Sequence, residues 1–415
     1  MTQWNPVWDI SINGTSYTNF VLSNLSIQSG RPNIYEQSQA GYCSLTLLNV
    51  SQSQVIININ DGVTISIKDS TNTFIPIFGG SVTDISISVT DAGSVGIVQN
   101  ISLMILGGLA RLQKALTNGV LPKELDGLQI ADILDEVLLN QWNEVPPALQ
   151  WNTYYPATQT WDEVRSSLIG EIDSGVYELA ARSSSRTNVY QLVAALATSG
   201  FGYIYESGTG QIGYAGADHR SAYLTANGFS ELDANQSIAT GLAIQTKAGD
   251  VRNSITVQYG ATSSAEVSAT DADSIALYGQ LASIVQTTLH DSVDADAQAA
   301  KYLAIRSRPF ANLYSVNFQL TNPELDNTDR DSLISIFMGL PLRISNLPLN
   351  MSAGTYVGFV ESWTFSAAYN ELALTAFLSP LSYTIFNESW QEVTPSITWA
   401  TVAGSPTWEY AFELT

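Results

Sequence analysis

The sequence reads as a mainly β protein with an α+β insertion, and three observations carry that prediction. Only 13% of the 415 residues are charged, about half the usual share, so the polar surface falls to Ser, Thr, Asn and Gln, which suit strands and turns. Short runs alternate apolar and polar residues between turn signals over most of the chain. A set of four strand-like blocks also occurs twice, in the same order. At 45% hydrophobic, the chain can bury large cores, and its length predicts two or three domains.

Residues 1–106 are predicted to form a first tube-type β-barrel. DISINGTSYTNF, GYCSLTLLNV, DGVTISIKDS and FGGSVTDISISV alternate as strands do. Asn13-Gly14 between ISI and TSY signals a hairpin, because both central residues of a type I′ turn need φ > 0. No helix is expected there. Cys43 within CSLTLLN reads as a small buried side chain.

Residues 107–238 change period and are predicted to form an α+β insertion domain. Leu128, Ile130, Ile133, Leu134, Val137 and Leu138 recur at helical spacing behind Asp126 as an N-cap, to about Asn140. Thr160 and Glu163 make a capping box for a second helix that Gly170 would stop. A third helix is predicted over 187–198, with Val189, Leu192, Val193 and Leu196 on one face, followed by a hairpin of FGYIYE and QIGYAG around SGTG.

Residues 239–382 return to alternation in NSITVQYG, LYSVNFQLTN, PLRISN, TYVGFVESWTFSA and NELALTAFL, and are predicted to form a second tube-type β-barrel. One helix, about 294–308, interrupts it. Asp291, Asp294 and Asp296 lie at its start, Lys301, Arg306 and Arg308 toward its end, and Pro309 after it, matching the helix dipole. Residues 383–415 form a C-terminal extension in which Trp390, Trp399 and Trp408 recur every nine residues. So short a segment cannot bury three indoles alone, so they are candidate anchors that dock on the chain's own barrel or on a neighbouring subunit; a partly mobile tail satisfies the sequence equally well.

The two β-rich parts match block by block. YCSLTLLN (42–49), DGVTISI (61–67), FGGSVTDISIS (78–88) and NISLMILGGL (100–109) correspond to YSVNFQLTN (314–322), MGLPLRI (338–344), YVGFVESWTFS (356–366) and NELALTAFLSPL (370–381). The third blocks share Gly-x-Val ahead of an acid. This order predicts an internal duplication with the insertion lodged between the copies. If three chains associate, six copies can close a pseudo-sixfold ring through edge strands that an isolated barrel leaves unpaired. A monomer of two sandwiches satisfies the duplication equally well.

Charge excludes some functions. With 16 Lys plus Arg against 38 Asp plus Glu, the formal net charge is −22, whereas gripping phosphate needs clustered cations. Residues 1–110 hold only Arg31 and Lys68, and residues 344–415 hold no Lys or Arg. A lone Cys43 cannot form an intramolecular disulfide, which fits folding in a reducing compartment. MTQWNPVWDI lacks the pattern of a signal peptide, and no run nears the ~18 apolar residues of a membrane span, so no membrane insertion is expected.

Enzymatic constellations are sparse. His219 and His290 lack zinc-ligand spacing and read as surface residues at a loop or helix start. Glu124, Asp126, Asp132, Asp135 and Glu136 crowd one region near Trp142, Trp151 and Trp161, the ingredients of a sugar cleft, since a glycosidase needs two carboxylates roughly 5–10 Å apart. Acids at a helix start and on a solvated helix face explain the same residues. DNTDRD (326–331) and DSVDADA (291–297) lack the Gly and Glu of a calcium loop, although the first could hold a structural cation; the second reads as a helix N-terminus. GTGQIG (208–213) reads as a hairpin turn. No catalytic residue, cofactor or metal site is assigned. The competing class is a β-rich carbohydrate-active enzyme or sugar-binding adhesin, for which a monomer with an acidic, Trp-lined groove would speak.

The layout resembles the tail hub proteins of tailed bacteriophages, also called baseplate hub or minor tail proteins. The likeness lies in LATSGFGYIYESGTGQIGYAGADHR (196–220), RNSITVQYG (252–260), NPELDNTDRDSLISIFMGLPLRISNLP (322–348) and YVGFVESWTFSAAYNELALTAFLSP (356–380). It implies a structural virion protein made in the host bacterial cytoplasm. It further implies a homotrimeric hub joining the sixfold tail tube, or a distal tail protein, to a threefold tip or spike. A channel would pass the tape-measure protein and then DNA, and a carboxylate-rich lumen would repel that DNA rather than hold it.

Overall fold

The computed structural model describes residues 4–381 apart from 92, 94–95, 138–168, 238–239, 247, 310 and 348–353. Seven strands come first: β1 (Trp8–Ile12), β2 (Thr15–Ser16), β3 (Val21–Gly30), β4 (Tyr42–Asn49), β5 (Gly62–Lys68), β6 (Phe74–Asp91) and β7 (Ile97–Leu106). The turn joining β1 to β2 has Asn13 at φ 49° and Gly14 at φ 72°, the type I′ geometry that the dipeptide favours.

Short strands then alternate with helices. They are β8 (Leu116–Thr117), β9 (Glu124–Leu125), β10 (Ile169–Ile172), β11 (Glu178–Leu179), β12 (Thr187–Asn188), β13 (Tyr203–Glu206), β14 (Ile212–Ala215) and β15 (Ser230–Asp233). The helix Val189–Ser199 starts where Asn188 Oδ1 accepts from Gln191 N at 3.1 Å. The Asp126 expectation changes: Leu125 is the N-cap, and Asp126 lies inside the helix Asp126–Asp135 with its side chain fully buried. The helix expected from Thr160 lies outside the described residues, and Gly170 belongs to β10.

The remaining strands are β16 (Thr240–Thr246), β17 (Ser254–Tyr259), β18 (Ala265–Thr270), β19 (Ala282–Gln286), β20 (Ala311–Gln319), β21 (Pro341–Ser345), β22 (Tyr356–Ala368) and β23 (Glu371–Pro380). The expected helix is present as Ser292–Arg306, where Asp291 accepts from Val293 N and Asp294 N. It differs from expectation in where it packs. Together with Ile255 and Val257 of β17, its Ala295, Ala299 and Ile305 share a core with Ile130, Leu134, Leu196 and Tyr214 of the insertion. Among the described residues, no helix is long and apolar enough to cross a membrane.

Thirteen strands form one sheet in the order β16-β20-β23-β22-β3-β4-β7-β6-β5-β1-β2, with β21 on β22 and β15 on β21. The duplicated blocks therefore pair alike, β4-β7-β6-β5 in one copy and β20-β23-β22-β21 in the other. Each long strand carries a bulge at the matched residue, since register shifts between Val82 and Asp84 in β6 and between Val360 and Ser362 in β22. Gly80 and Gly358 precede them, and a Cβ on either would lie 2.4 Å from a carbonyl of the neighbouring strand, Leu106 O or Ser379 O. Only glycine permits that approach.

The expected pair of barrels is corrected in one respect: no barrel closes among the described residues. The copies instead join edge to edge, because β22 pairs antiparallel with β3 from Ser362 opposite Gly30 to Ala368 opposite Asn24. One apolar core runs beneath both, including Leu25, Ile27, Leu45, Ile65, Phe318 and Phe365.

Candidate functional site

Where β22 bends at its bulge, three distant segments meet on one carboxylate. Glu361 Oε2 lies 2.7 Å from Arg31 Nε and 2.9 Å from Arg220 Nη2, while Oε1 lies 2.7 Å from Arg220 Nη1 and accepts from Ser379 Oγ at 2.5 Å. The side chains of Arg31, Glu361 and Arg220 are 5%, 3% and 3% exposed. Burial alone would push the Glu361 carboxyl up, but the Arg220 and Arg31 guanidiniums outweigh it and hold the group at about 2. The Tyr203 ring lies 4.9 Å from Arg31 Cζ and 4.6 Å from Arg220 Cζ, adding cation–π attraction. This cluster ties the end of β3 and the insertion to the second copy.

The matched place in the first copy is open. Beyond Ser81, β6 has β7 on one side, β5 pairs with the stretch from Phe74 to Ser81 and Val82 bonds to Asn60 and Asp61, so among the described residues the other edge of 84–91 has no strand beside it. On that stretch Ile87 and Val89 are 52% and 61% exposed, whereas their counterparts on β22, Phe365 and Ala367, are 0% and 2% exposed beneath the copy-to-copy junction. At the far end of the sheet, among the described residues, β16 pairs with β20 on one side only. By strand order β16 is the second copy's equivalent of β3, since β3 lies beside β4 and β16 beside β20. One chain thus contains the junction β22·β3 and both unfilled halves of a second one, β6 and β16.

The acids singled out by sequence are put to structural use. Asp126 accepts from Val176 N at 2.9 Å, from Tyr177 N at 2.8 Å and from the Tyr214 hydroxyl. Burial and the neighbouring Asp132 push the Glu124 carboxyl up, and Glu136 accepts from Thr117 Oγ1 at 3.0 Å. Asp135 lies at the end of the same helix. Trp142, Trp151 and Trp161 lie outside the described residues, as do Trp390, Trp399 and Trp408. Cys43 is fully buried.

The loop motifs resolve into caps and turns. Asp326 accepts from Asp329 N and caps the helix Asn327–Ile334, Asp329 accepts from Asp233 N, and Asp331 binds Ser70. No group of three metal-ligating side chains occurs among the described residues. GTGQIG is the β13–β14 turn, packed so closely on β6 that a Cβ on Gly208 would lie 2.1 Å from Pro76 O. His290 is exposed. His219 is more than a surface residue: its Nδ1 lies 2.8 Å from Asp173 Oδ2 on the wall of a cavity of about 610 Å³. The hydrogen bond that His219 Nδ1 donates to Asp173 raises the His219 pKa against the opposing effect of burial. Sequence spacing carried no signal for this pair or for the Arg31–Glu361–Arg220 cluster.

No protein-family model matches the chain, and no curated protein does. Solved structures do. The 43 kDa tail protein of prophage MuSo2 from Shewanella oneidensis superposes with a TM-score of 0.56 at 11% identity, covering 92% of this chain and 100% of that one. The tail protein from Neisseria meningitidis MC58 gives 0.60 at 9% identity, covering 92% and 98%. Coverage of both chains almost end to end makes the likeness one of whole architecture. The chain has the fold of these two tail proteins.

Proposed function

We propose that this chain is a non-enzymatic structural protein of a phage tail, and that it acts as a homotrimeric hub. The supporting observation is a junction made once within the chain, together with the two edges that would make it again. Within the chain, β3 of the first copy completes the edge of β22 and buries Phe365 and Ala367. Among the described residues, the same edge of β6 beyond its bulge has no strand beside it, and neither has the outer edge of β16. Pairing β6 of one subunit with β16 of the next is a head-to-tail contact, the kind that forms a ring when the rotation between subunits closes. Three chains place six copies around the axis, which suits a hub between a sixfold tube, or a distal tail protein, and a threefold tip or spike. The barrel-like units of a tube would be completed by neighbours rather than within one chain. A channel at the axis would pass the tape-measure protein and DNA, and the acidic excess keeps the wall from binding the polyanion.

Burying half of Ile87 and Val89 contributes about 2 kcal/mol per junction, and ladder hydrogen bonds add to it. Analytical ultracentrifugation of the purified chain is expected to show a species of three chains, and Ile87→Lys with Val89→Lys to shift it toward one. Both positions are exposed in the single chain, so the monomer's melting temperature should hold. A wild-type protein that stays one chain at high concentration overturns the reading.

A further inference from the structure

One cavity runs against the charge balance of the whole chain. It has a volume of about 50 Å³, and its wall includes Arg31 and Arg220 but no carboxylate, in a protein with 38 acidic residues and 16 basic ones. Both arginines are at least nine-tenths buried, at 5% and 3% exposure. Their shared partner Glu361 supplies one negative charge to their two positive ones, so the cluster keeps one positive charge in excess. Arg31 uses Nε on Glu361 and Nη1 on the Ile34 carbonyl; among the described residues its Nη2 makes no hydrogen bond. A third cation, Arg306, lies 3.9 Å from the centre of the ring of Tyr35, another wall residue.

An excess charge held away from water is costly unless a counter-charge accompanies it. Aromatic faces supply only part of that, through Tyr203 and through Phe359, whose ring lies 5.2 Å from Arg220 Cζ. Volume then selects the counter-ion. The cavity's volume of about 50 Å³ suits a small ion, a water molecule's share of liquid volume being about 30 Å³. We propose that the cavity between Arg31 and Arg220 binds one small monovalent anion, a halide such as chloride. The bound anion neutralises the cluster and so strengthens the joint between β3, the insertion and β22. Binding is a property of the single chain and stands whether or not the chain forms a trimer.

The probe is chloride against gluconate, a far larger organic anion, at matched ionic strength so that general screening cancels. Melting of the full chain should rise saturably with chloride by roughly 2 °C or more and stay flat in gluconate. Arg31→Met, which keeps the length and removes the charge, should abolish the increment. Superimposable chloride and gluconate curves for the wild type overturn the proposal. Bromide-soaked crystals give a second readout independent of the variant's folding: an anomalous peak between the two guanidiniums supports the site, and bromide bound only elsewhere overturns it.

Discussion

Replacing Glu361 by Gln is the sharpest perturbation of the buried joint. The amide keeps the shape but removes the charge, leaving Arg31 and Arg220 facing each other with their carboxylate gone. Two routes give the cost. Removing one partner of a buried ion pair costs about 3–5 kcal/mol. The carboxyl is held near 2 in the fold against about 4.3 when unfolded, and that difference corresponds to roughly 3 kcal/mol. The routes agree, and for a fold of this size the loss is a fall in melting temperature of about 3–6 °C.

The sign with pH follows from the same shift. A carboxyl whose folded pKa is depressed stabilises fully above its unfolded value and loses that contribution as pH falls toward the folded one. Wild-type stability should therefore drop between about pH 4.5 and 2, and Glu361→Gln should flatten that part of the curve. Melting curves from pH 7 to 2.5 on both proteins read the effect. A variant melting within 1 °C of wild type, with an unchanged acid slope, would refute the reasoning.

Further outcomes follow from single contacts. Gly358→Ala places a Cβ 2.4 Å from Ser379 O and should cost about 1–3 kcal/mol, measured by urea unfolding; Gly80→Ala, facing Leu106 O in the matched place, should cost a similar amount. Asp173→Asn should lower the His219 titration point, followed by the ring-proton NMR shifts, because the Asp173 hydrogen bond is what raises it. That pair stabilises below the ordinary histidine value near 6.5 and loses its contribution as pH rises through the folded pKa. Asp126→Ala leaves the Val176 and Tyr177 N–H groups and the Tyr214 hydroxyl without their acceptor, and should cost about 3 kcal/mol in the same urea assay.

The strands of the duplicated blocks were legible because alternation and turn residues are local signals. Gly-x-Val before an acid read as a sign of duplication and not as a bulge, which the structure places at that point of both β6 and β22. The Asn13-Gly14 turn and the Asp291 cap were legible as local signals too. The β22·β3 junction was not, because Arg31 and Glu361 lie 330 residues apart, and no spacing encodes a pairing so remote. Nor was the burial of Asp126: an acid at a helix start reads as solvated until the strand bearing Tyr214 is seen above it. The segment 251–306 misled for a related reason. Its strand has the period of the second copy's strands, while its apolar face packs on the insertion, and period does not identify the partner.

The central claim is that β6 and β16 of different subunits repeat the junction that β22 and β3 make within one. Ser26 lies opposite Ser366, and strand equivalence carries that pair to Ala243 and Ser88. Paired residues of an antiparallel ladder have Cα atoms about 4.5–5.5 Å apart, within disulfide reach. Oxidised Ser26→Cys/Ser366→Cys should close within the chain and run as one chain on a non-reducing gel. Ser88→Cys/Ala243→Cys should give covalent species ending at three chains, and each single variant none. Failure of that second pair to link chains, while the first closes, would contradict the account.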